Sequence, residues 1–414
     1  MAQNKNRKFI NDPVYGFITL SGKPAFEIIE HPYFQRLRRI TQLGLTHLVY
    51  PGAIHTRFHH ALGCMHLMKQ AIDVLKEKGH AITDHEKESA LLAILVHDIG
   101  HGPFSHALEN TIVDTNHEAL SKMFIGYLNT ELGGQLEEAR AIFEGTHPKR
   151  FLHQLVSSQL DVDRLDFLRR DSFFTGVSEG VVGSDRIIKM LEVANNELVV
   201  EAKGIYSIEK FIVARRLMYW QVYMHKTVLS AEYLLMNILK RARELAQNGK
   251  APEAPTDLSF FIQNPINQHD LKESSKILEA FARIDDFDVM AAIKNWTRSD
   301  DRLLKILSEK LIHRRLYKIE MQDHPFPRSR VDSLRKKTQK KYDLDEQACS
   351  YLVFSGKAQN HAYNPVSDNI RIVFKDNQIK DITEVSDPIR SVGITKMVYK
   401  YFLCYPKDVA DHKQ

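Results

Sequence analysis

From Glu27 to about Lys240 the apolar residues recur at helical spacing, in blocks separated by short polar turns, and runs of strict alternation are few. The pattern predicts successive amphipathic helices. In Glu86 to His97 the residues Leu91, Leu92, Ile94, Leu95 and Val96 nearly fill the helix surface, so this helix is expected to be buried on most sides. Gly100, Gly102 and Pro103 are expected to stop it, glycine by taking a left-handed conformation and proline by breaking the hydrogen-bond ladder. A second helix is expected from about Phe58 to Lys78, with Leu62, Met65, Leu67, Met68, Ile72 and Leu75 turned inward. A third is expected from about His153 to Arg170.

Gln247 to Thr256, with the sequence QNGKAPEAPT, has the glycine, proline and small polar residues of a surface linker. A boundary there divides the chain into a helical domain, residues 1–246, and a mixed α+β domain, residues 257–414, with a regulatory or assembly role. The second part is read as helical segments from about Leu271 to Leu316, then β-type runs at Ser350 to Phe354 and Ile370 to Phe374, with a turn at Lys375-Asp376-Asn377. The basic run Arg328 to Lys341 is read as a solvated helix face.

Composition narrows the class without naming a chemistry. The chain has 414 residues, of which 43% are hydrophobic and 26% charged, ordinary values for a globular protein of about two domains. No stretch has the eighteen or more uninterrupted apolar residues of a membrane span, and MAQNKNRKF is not a signal peptide, so a cytoplasmic protein is expected. Cys64, Cys349 and Cys404 are widely spaced and odd in number, which points to packed, reduced thiols. A net charge of +5 is weak support for nucleic-acid binding but leaves room for a local basic pocket.

His97-Asp98 directly follows the apolar run ALLAILV, and a buried carboxylate needs compensation. A divalent cation supplies it, since imidazole nitrogen and carboxylate oxygen both ligate such ions; a buried His–Asp hydrogen bond is the alternative. Arg57, His59, His60, His101 and His106 crowd the same stretch of sequence, in TRFHHALG and HDIGHGPFSHALE. Further on, SSQLDVDRLDFLRRDS sets Asp161, Asp163, Asp166 and Asp171 among apolar residues, with Asp163 and Asp166 on one helix face. Arg164, Arg169 and Arg170 can neutralise these carboxylates or bind phosphate, and a merely surface-charged helix is the alternative.

These strings resemble the HD-domain superfamily of metal-dependent phosphohydrolases, specifically the branch of deoxynucleoside triphosphate triphosphohydrolases that includes the sterile-alpha-motif/HD enzyme. The likeness covers roughly Lys8 to Lys226. It implies a mainly α fold, a helical HD-domain core with a smaller α+β C-terminal region. It also implies one divalent cation per subunit, Fe, Mn, Ni, Zn or Mg, held by His60, His97, Asp98 and Asp163. Arg57 then contacts substrate phosphate, His106 is the general acid oriented by Glu109, and His117 and His101 are further histidines of the site. Gln42 with Leu43, in the QLG string, and Asp171 correspond to the residues that bind the sugar 3′-hydroxyl. Phe167 stands where a tyrosine usually packs beneath the sugar. Arg164 belongs to the substrate side, and in ARRLMYWQVYMHK the residues Arg215, Tyr219, Tyr223 and Lys226 match phosphate and base contacts, Tyr219 replacing a histidine.

The implied reaction is hydrolysis of dNTPs to deoxynucleoside and tripolyphosphate. Alternatives are an HD phosphohydrolase acting on another nucleotide or phosphoester, and a nucleotide-sensing or nucleic-acid-binding module. KFINDPVYG and IIEHPYFQRLRRITQLG resemble the segments that form a guanine-nucleotide activator site, with Lys8, Asn11, Glu30, Gln35 and Arg38 at the matching positions and Glu30 replacing an aspartate. By that resemblance GTP or dGTP promotes a homo-oligomer, a dimer or tetramer.

Overall fold

The computed structural model describes residues 7–104, 111–360, 363–364, 369–391 and 398–410. Its first element is an antiparallel hairpin, β1 (Arg7–Asp12) and β2 (Gly16–Ser21), in register from Arg7 opposite Ser21 to Asp12 opposite Gly16. This hairpin precedes the helical series and has no counterpart in the sequence reading, because Phe9-Ile10 and Phe17-Ile18 are adjacent apolar pairs that break strict alternation. Helices Lys23–Glu30 and Pro32–Gln35 follow, each with proline in the first turn, where a missing N–H costs nothing.

The core of the fold is mainly α, as the periodicity requires. Helix α1 (Arg57–Glu77) packs on α2 (Asp84–Val96) and on α4 (Val162–Thr175), and α3 (His117–Glu131) closes over the end of α2. Seven of the thirteen residues of α2 are buried, including Leu92 to Val96 without interruption, so the helix runs through the interior. Its start is fixed by a capping box in which Thr83 accepts from the Glu86 N–H and Glu86 accepts from the Thr83 N–H.

The expected helix from His153 to Arg170 is two helices. Arg150–Val156 ends before Ser157, and Asp161 starts α4 by accepting the Arg164 N–H at 2.7 Å and the Ser158 N–H at 2.8 Å. Side chains that bond the local backbone compete with helix continuation, and Asp161 does so here together with Ser158, whose Oγ accepts the Leu160 N–H at 3.2 Å. Beyond α4, strands Leu191–Ala194 and Glu197–Glu201 interrupt the helical series, then α5 (Ile205–Met218) and α6 (Lys226–Gln247) follow.

Past the Pro-rich segment, helices Gln268–Glu273, Ser275–Arg283, Asp286–Trp296 and Arg302–Ile312 match the helical expectation. Ser350 to Leu352 is not β but the end of helix Glu346–Leu352, which Asp345 caps, and the strand is Phe354–Asn360. That strand and Lys318–Gln322 flank Val398–Tyr405 in an antiparallel sheet. The basic run lies in Arg328–Tyr342, whose buried residues are Val331, Leu334 and Thr338, and its charged face is solvated. Strand Arg371–Val373 pairs in parallel with Glu197–Glu201, and one hydrophobic cluster extends from Ile18 to Cys404. All three cysteines are buried and unpaired. No helix among the described residues is long and apolar enough to cross a membrane.

Candidate metal centre and substrate site

The end of α2 delivers His97 and Asp98 into the interior, and the backbone around it is held by two side chains, Ser121 and Arg36. Ser121 Oγ accepts the Gly100 N–H at 2.9 Å and donates to His97 O at 2.8 Å. Arg36, fully buried, donates to Ile99 O at 2.7 Å and His101 O at 2.8 Å. Burial, aided by Arg39, pulls its guanidinium down to about 9. Gly100 is needed for close approach: a Cβ there would lie 2.2 Å from Ser121 N and 2.3 Å from His117 O. Neither Gly100 nor Gly102 has a positive φ, so the expected left-handed stop is replaced by a tight crossing against α3; the positive φ falls on Phe104.

Two imidazoles meet two carboxylates at this point. His97 Nδ1 lies 2.6 Å from Ile94 O, a contact that only a protonated Nδ1 makes, and so its Nε2 carries the lone pair. That Nε2 is buried without a hydrogen-bond partner among the described residues, 3.5 Å from Asp98 Oδ1 and 3.7 Å from Asp163 Oδ1. His60, on α1, is arranged the same way. Its Nδ1 is 2.7 Å from Asp166 Oδ2, and its Nε2 is 3.0 Å from Asp163 Oδ1 and 3.7 Å from Asp98 Oδ2. His60, Cys64, His97 and Asp163 offer ligand atoms within 4.8 Å of one another. Cys64 Sγ is nearly equidistant from the two ring nitrogens of His60, at 3.5 and 3.6 Å, which sets it over the ring rather than in line with the Nε2 lone pair. Burial also pushes its thiol pKa up, whereas the Asp98 carboxylate lies opposite both Nε2 atoms.

The electrostatics agree with a cation site. Burial opposes ionisation of Asp98, but His97 and Arg57 hold its pKa well below the usual carboxylate range. Burial likewise opposes ionisation of Asp163, and hydrogen bonds from His60 and His97 overcome it. Both imidazoles are raised against burial, His60 by Cys64, Asp163 and Asp166 and His97 by Asp98 and Asp163. Four groups thus share protons where a divalent ion would satisfy all of them, and the unpartnered Nε2 of His97 fits such an ion.

Around the cluster the expected residues are distributed as follows. Arg57 is buried and paired with Asp98. His101 is buried 3.4 Å from Asp98 Oδ1 and stacks on His117 at 3.9 Å. Its imidazole is driven well down by burial and by Arg57. His106 and Glu109 lie outside the described residues. Asp171 accepts from His55 Nε2 and from Tyr223 Oη, each at 2.8 Å. The Gln42 N–H donates to His55 O, and Gln42 Oε1 is buried without a partner among the described residues. Leu43 is partly buried against the core next to it. Phe167 meets the Tyr223 ring edge-on at 6.0 Å, and Tyr219 meets it at 5.2 Å. Residues Tyr219–Tyr223 form a π-helical turn, a distortion the sequence pattern does not reveal, and Tyr50 Oη occupies its Gln221 carbonyl at 2.6 Å. Arg164 pairs with Asp161; Arg215 is buried, its pKa lowered by burial and by Arg164, with Tyr219 beside it. Lys226 is exposed at the start of α6.

The proposed activator residues fall into two contacts. Lys8 reaches Glu30 at 3.1 Å, and Arg38 donates to Gln35 at 2.9 Å while its guanidinium lies 3.5 Å from the Phe58 ring centroid. Asn11 is exposed on β1. Arg170 does not face phosphate at all: it is fully buried between Asp166 and Asp12.

Comparison with known proteins places this geometry. An HD domain matches residues 57–167, and an HD-associated region matches residues 182–254. The crystal structure of a phosphohydrolase from Bacteroides thetaiotaomicron superposes with a TM-score of 0.93 at 48% identity, covering 96% of this chain and 99% of that one. The uncharacterized protein YwfO of Bacillus subtilis is 29% identical over 97% of this chain and 93% of its own. The Dictyostelium discoideum homolog of the deoxynucleoside triphosphate triphosphohydrolase SAMHD1 is 29% identical, over 67% of this chain and 59% of its own length. With its convergent histidines and aspartates inside the matched region, the chain belongs to the HD-domain phosphohydrolases.

Proposed function

We propose that the protein hydrolyses deoxynucleoside triphosphates to deoxynucleoside and tripolyphosphate. The observation that carries this reading is the approach of two guanidiniums, Arg164 and Arg215, beside the carboxylate cluster. Only Arg164 has a carboxylate partner, Asp161, while Arg215 Nε is buried and unbonded among the described residues. Two mutually repelling cations held together suit a polyanion such as a triphosphate. The likeness to a deoxynucleoside triphosphate triphosphohydrolase supports the same substrate class.

His60, His97, Asp98 and Asp163 hold the divalent cation, which supplies Lewis-acid polarisation of a phosphoryl oxygen and an acidified water. Arg164 and Arg215 bind and orient the phosphates, and Arg57 fixes the Asp98 carboxylate while adding positive charge. Gln42 and Asp171 contact the sugar 3′-hydroxyl, with Phe167 and Tyr223 as the aromatic wall. Water adds to the α-phosphorus, the bond to the 5′-oxygen breaks, and that oxygen takes a proton from an imidazole, His106 or His117. A guanine nucleotide bound by Lys8, Asn11, Glu30, Gln35 and Arg38 promotes assembly, which sedimentation with and without a non-hydrolysable GTP analogue tests.

A second reading is favoured by one observation. The Asp171 carboxylate already serves His55 and Tyr223, which leaves less capacity for a sugar hydroxyl and suits a different phosphoester. Incubating the protein with each dNTP, each NTP and a simple phosphomonoester, with and without added metals, separates the two. Tripolyphosphate from dNTPs is the expected product; hydrolysis of the monoester alone would refute the first reading.

A further inference from the structure

Behind the metal-facing side of His60 lies a row of ionised groups that the proposed chemistry does not use. Asp12, the last residue of β1, is 4% exposed and spends one carboxylate oxygen on its own turn, accepting the N–H of Val14 at 2.9 Å and of Tyr15 at 3.0 Å. Its other oxygen accepts from Arg170 Nη1 at 2.8 Å. Arg170 then grips Asp166 with a two-pronged contact, Nε to Oδ2 at 2.9 Å and Nη2 to Oδ1 at 3.0 Å. Asp166 Oδ2 in turn accepts the Nδ1–H of His60 at 2.7 Å.

Arg170 and Asp166 are fully buried, and the Tyr15 ring lies 5.5 Å from the guanidinium. Gly63 on α1 is what admits them, since a Cβ there would lie 2.0 Å from Asp166 Oδ1 and 2.3 Å from Arg170 Nη2. Two carboxylates around one guanidinium leave a net negative charge behind the imidazole. A carboxylate that accepts Nδ1–H fixes the tautomer and makes the opposite nitrogen a better ligand. If Asp12 lost its charge, Arg170 would neutralise Asp166 alone, and Asp166 would become a weaker acceptor for His60.

We propose that Asp12 and Arg170 are positioning residues that couple the N-terminal hairpin, through Asp166, to the metal-facing Nε2 of His60. Metal binding therefore stiffens the hairpin, and the hairpin's fit sets metal affinity, because coupling between two sites is reciprocal. The inference rests on the reading of His60 as a metal ligand.

Asp12→Asn keeps the shape of the side chain and an oxygen for the turn amides while removing the charge that Arg170 uses. Metal-free protein is titrated with Mn2+, with the free ion read by electron paramagnetic resonance. The dissociation constant is expected to rise roughly 10–100-fold in the variant, the usual range when a group supporting a ligand histidine is changed. The unfolding midpoint of the metal-free variant is the control, since a purely structural ion pair would lower that midpoint without weakening Mn2+. Should the variant fail to fold, hydrogen exchange on the unsubstituted chain decides: Mn2+ is expected to slow exchange at residues 7–21 and leave Val398–Tyr405 unchanged. Unaltered Mn2+ affinity in folded Asp12→Asn, or hairpin exchange indifferent to Mn2+, overturns the relay alone. No Mn2+ binding by the unsubstituted protein overturns both the relay and the metal reading.

Discussion

Asp163 and Asp166, one helical turn apart on α4, address the two nitrogens of a single imidazole: Asp163 Oδ1 is 3.0 Å from His60 Nε2 and Asp166 Oδ2 is 2.7 Å from His60 Nδ1. Their environments divide the work. Burial raises the cost of charge on both, but Arg170 and His60 hold Asp166 at about 2, so it remains an acceptor throughout the physiological range. Asp163 has no guanidinium bound to it in the same way and is the one turned toward His97. The i, i+3 spacing on one helix face makes this possible, because the pair brackets a ring inserted from α1.

The two halves of the His97-Asp98 motif are expected to fail differently. His97→Ala removes one ligand and a single hydrogen bond to Ile94 O, so metal and hydrolysis should be lost with the helical fold retained. Asp98→Ala removes a ligand and also takes one side of the buried ion pair with Arg57, which is 4% exposed. Breaking a buried pair from one side typically costs about 3–5 kcal/mol, so this variant should also unfold at lower denaturant. Metal analysis and urea unfolding of the two proteins check both halves; full metal content in His97→Ala would place the ion elsewhere.

Gly63→Ala tests the packing that admits the Asp166–Arg170 pair. The added methyl would overlap two groups that are bonded on their other sides and have little room to retreat. Overpacking and disruption of a buried ionic network should cost about 2–4 kcal/mol. Chemical unfolding measures this directly, and a variant as stable as the parent would show that α1 and α4 can separate freely.

The sequence made the site more legible than its supports. The buried helix, its His97-Asp98 terminus and the carboxylate-rich start of α4 all follow from local patterns, and the structure brings these groups together as their residue types suggest. What could not be read locally is the pairing of Asp12 with Arg170, since the partners are 158 positions apart and neither is unusual in its own segment. Arg170 was equally consistent with a phosphate contact until burial set its role. The break at Ser157 and the π-turn at Tyr219 were hidden because apolar spacing continues through both while backbone bonding does not. Gly100 was legible as a glycine position, but for the wrong reason: the constraint is the α3 backbone, which no local window contains.

Glu232 gives a pH dependence remote from the site. It is partly buried on α6 with no hydrogen-bond partner among the described residues, and burial pushes its carboxyl up to about 7 from 4.5. The folded state therefore holds the proton more tightly than the unfolded one between these values. Stability should fall as pH rises through this window and level off above it. Glu232→Gln removes the titration and should gain about 1–3 kcal/mol at pH 8 relative to the parent, with little change at pH 4. Urea unfolding of both proteins at the two pH values decides it, and equal differences at both would assign the effect to packing rather than charge.

Sugar selection can be tested at Phe167, which stands where the resemblance sets a tyrosine. Phe167 meets Tyr223 edge-on, and Tyr223 Oη is fixed by Asp171, so the wall beside the proposed sugar pocket is rigid on one side and has an apolar edge on the other. Phe167→Tyr adds a hydroxyl at that edge without changing the ring. A 2′-hydroxyl would then compete for space with a group that can also hydrogen-bond, and ribose substrates should lose more than deoxyribose ones. A shift of roughly tenfold in the dNTP to NTP ratio of kcat/KM corresponds to a single polar contact or mild clash of this kind. Competing a dNTP against its NTP in one reaction measures the ratio without interference from protein concentration. An unchanged ratio, with both rates intact, would mean that the sugar is read by Gln42 and Asp171 alone and that the aromatic wall only packs.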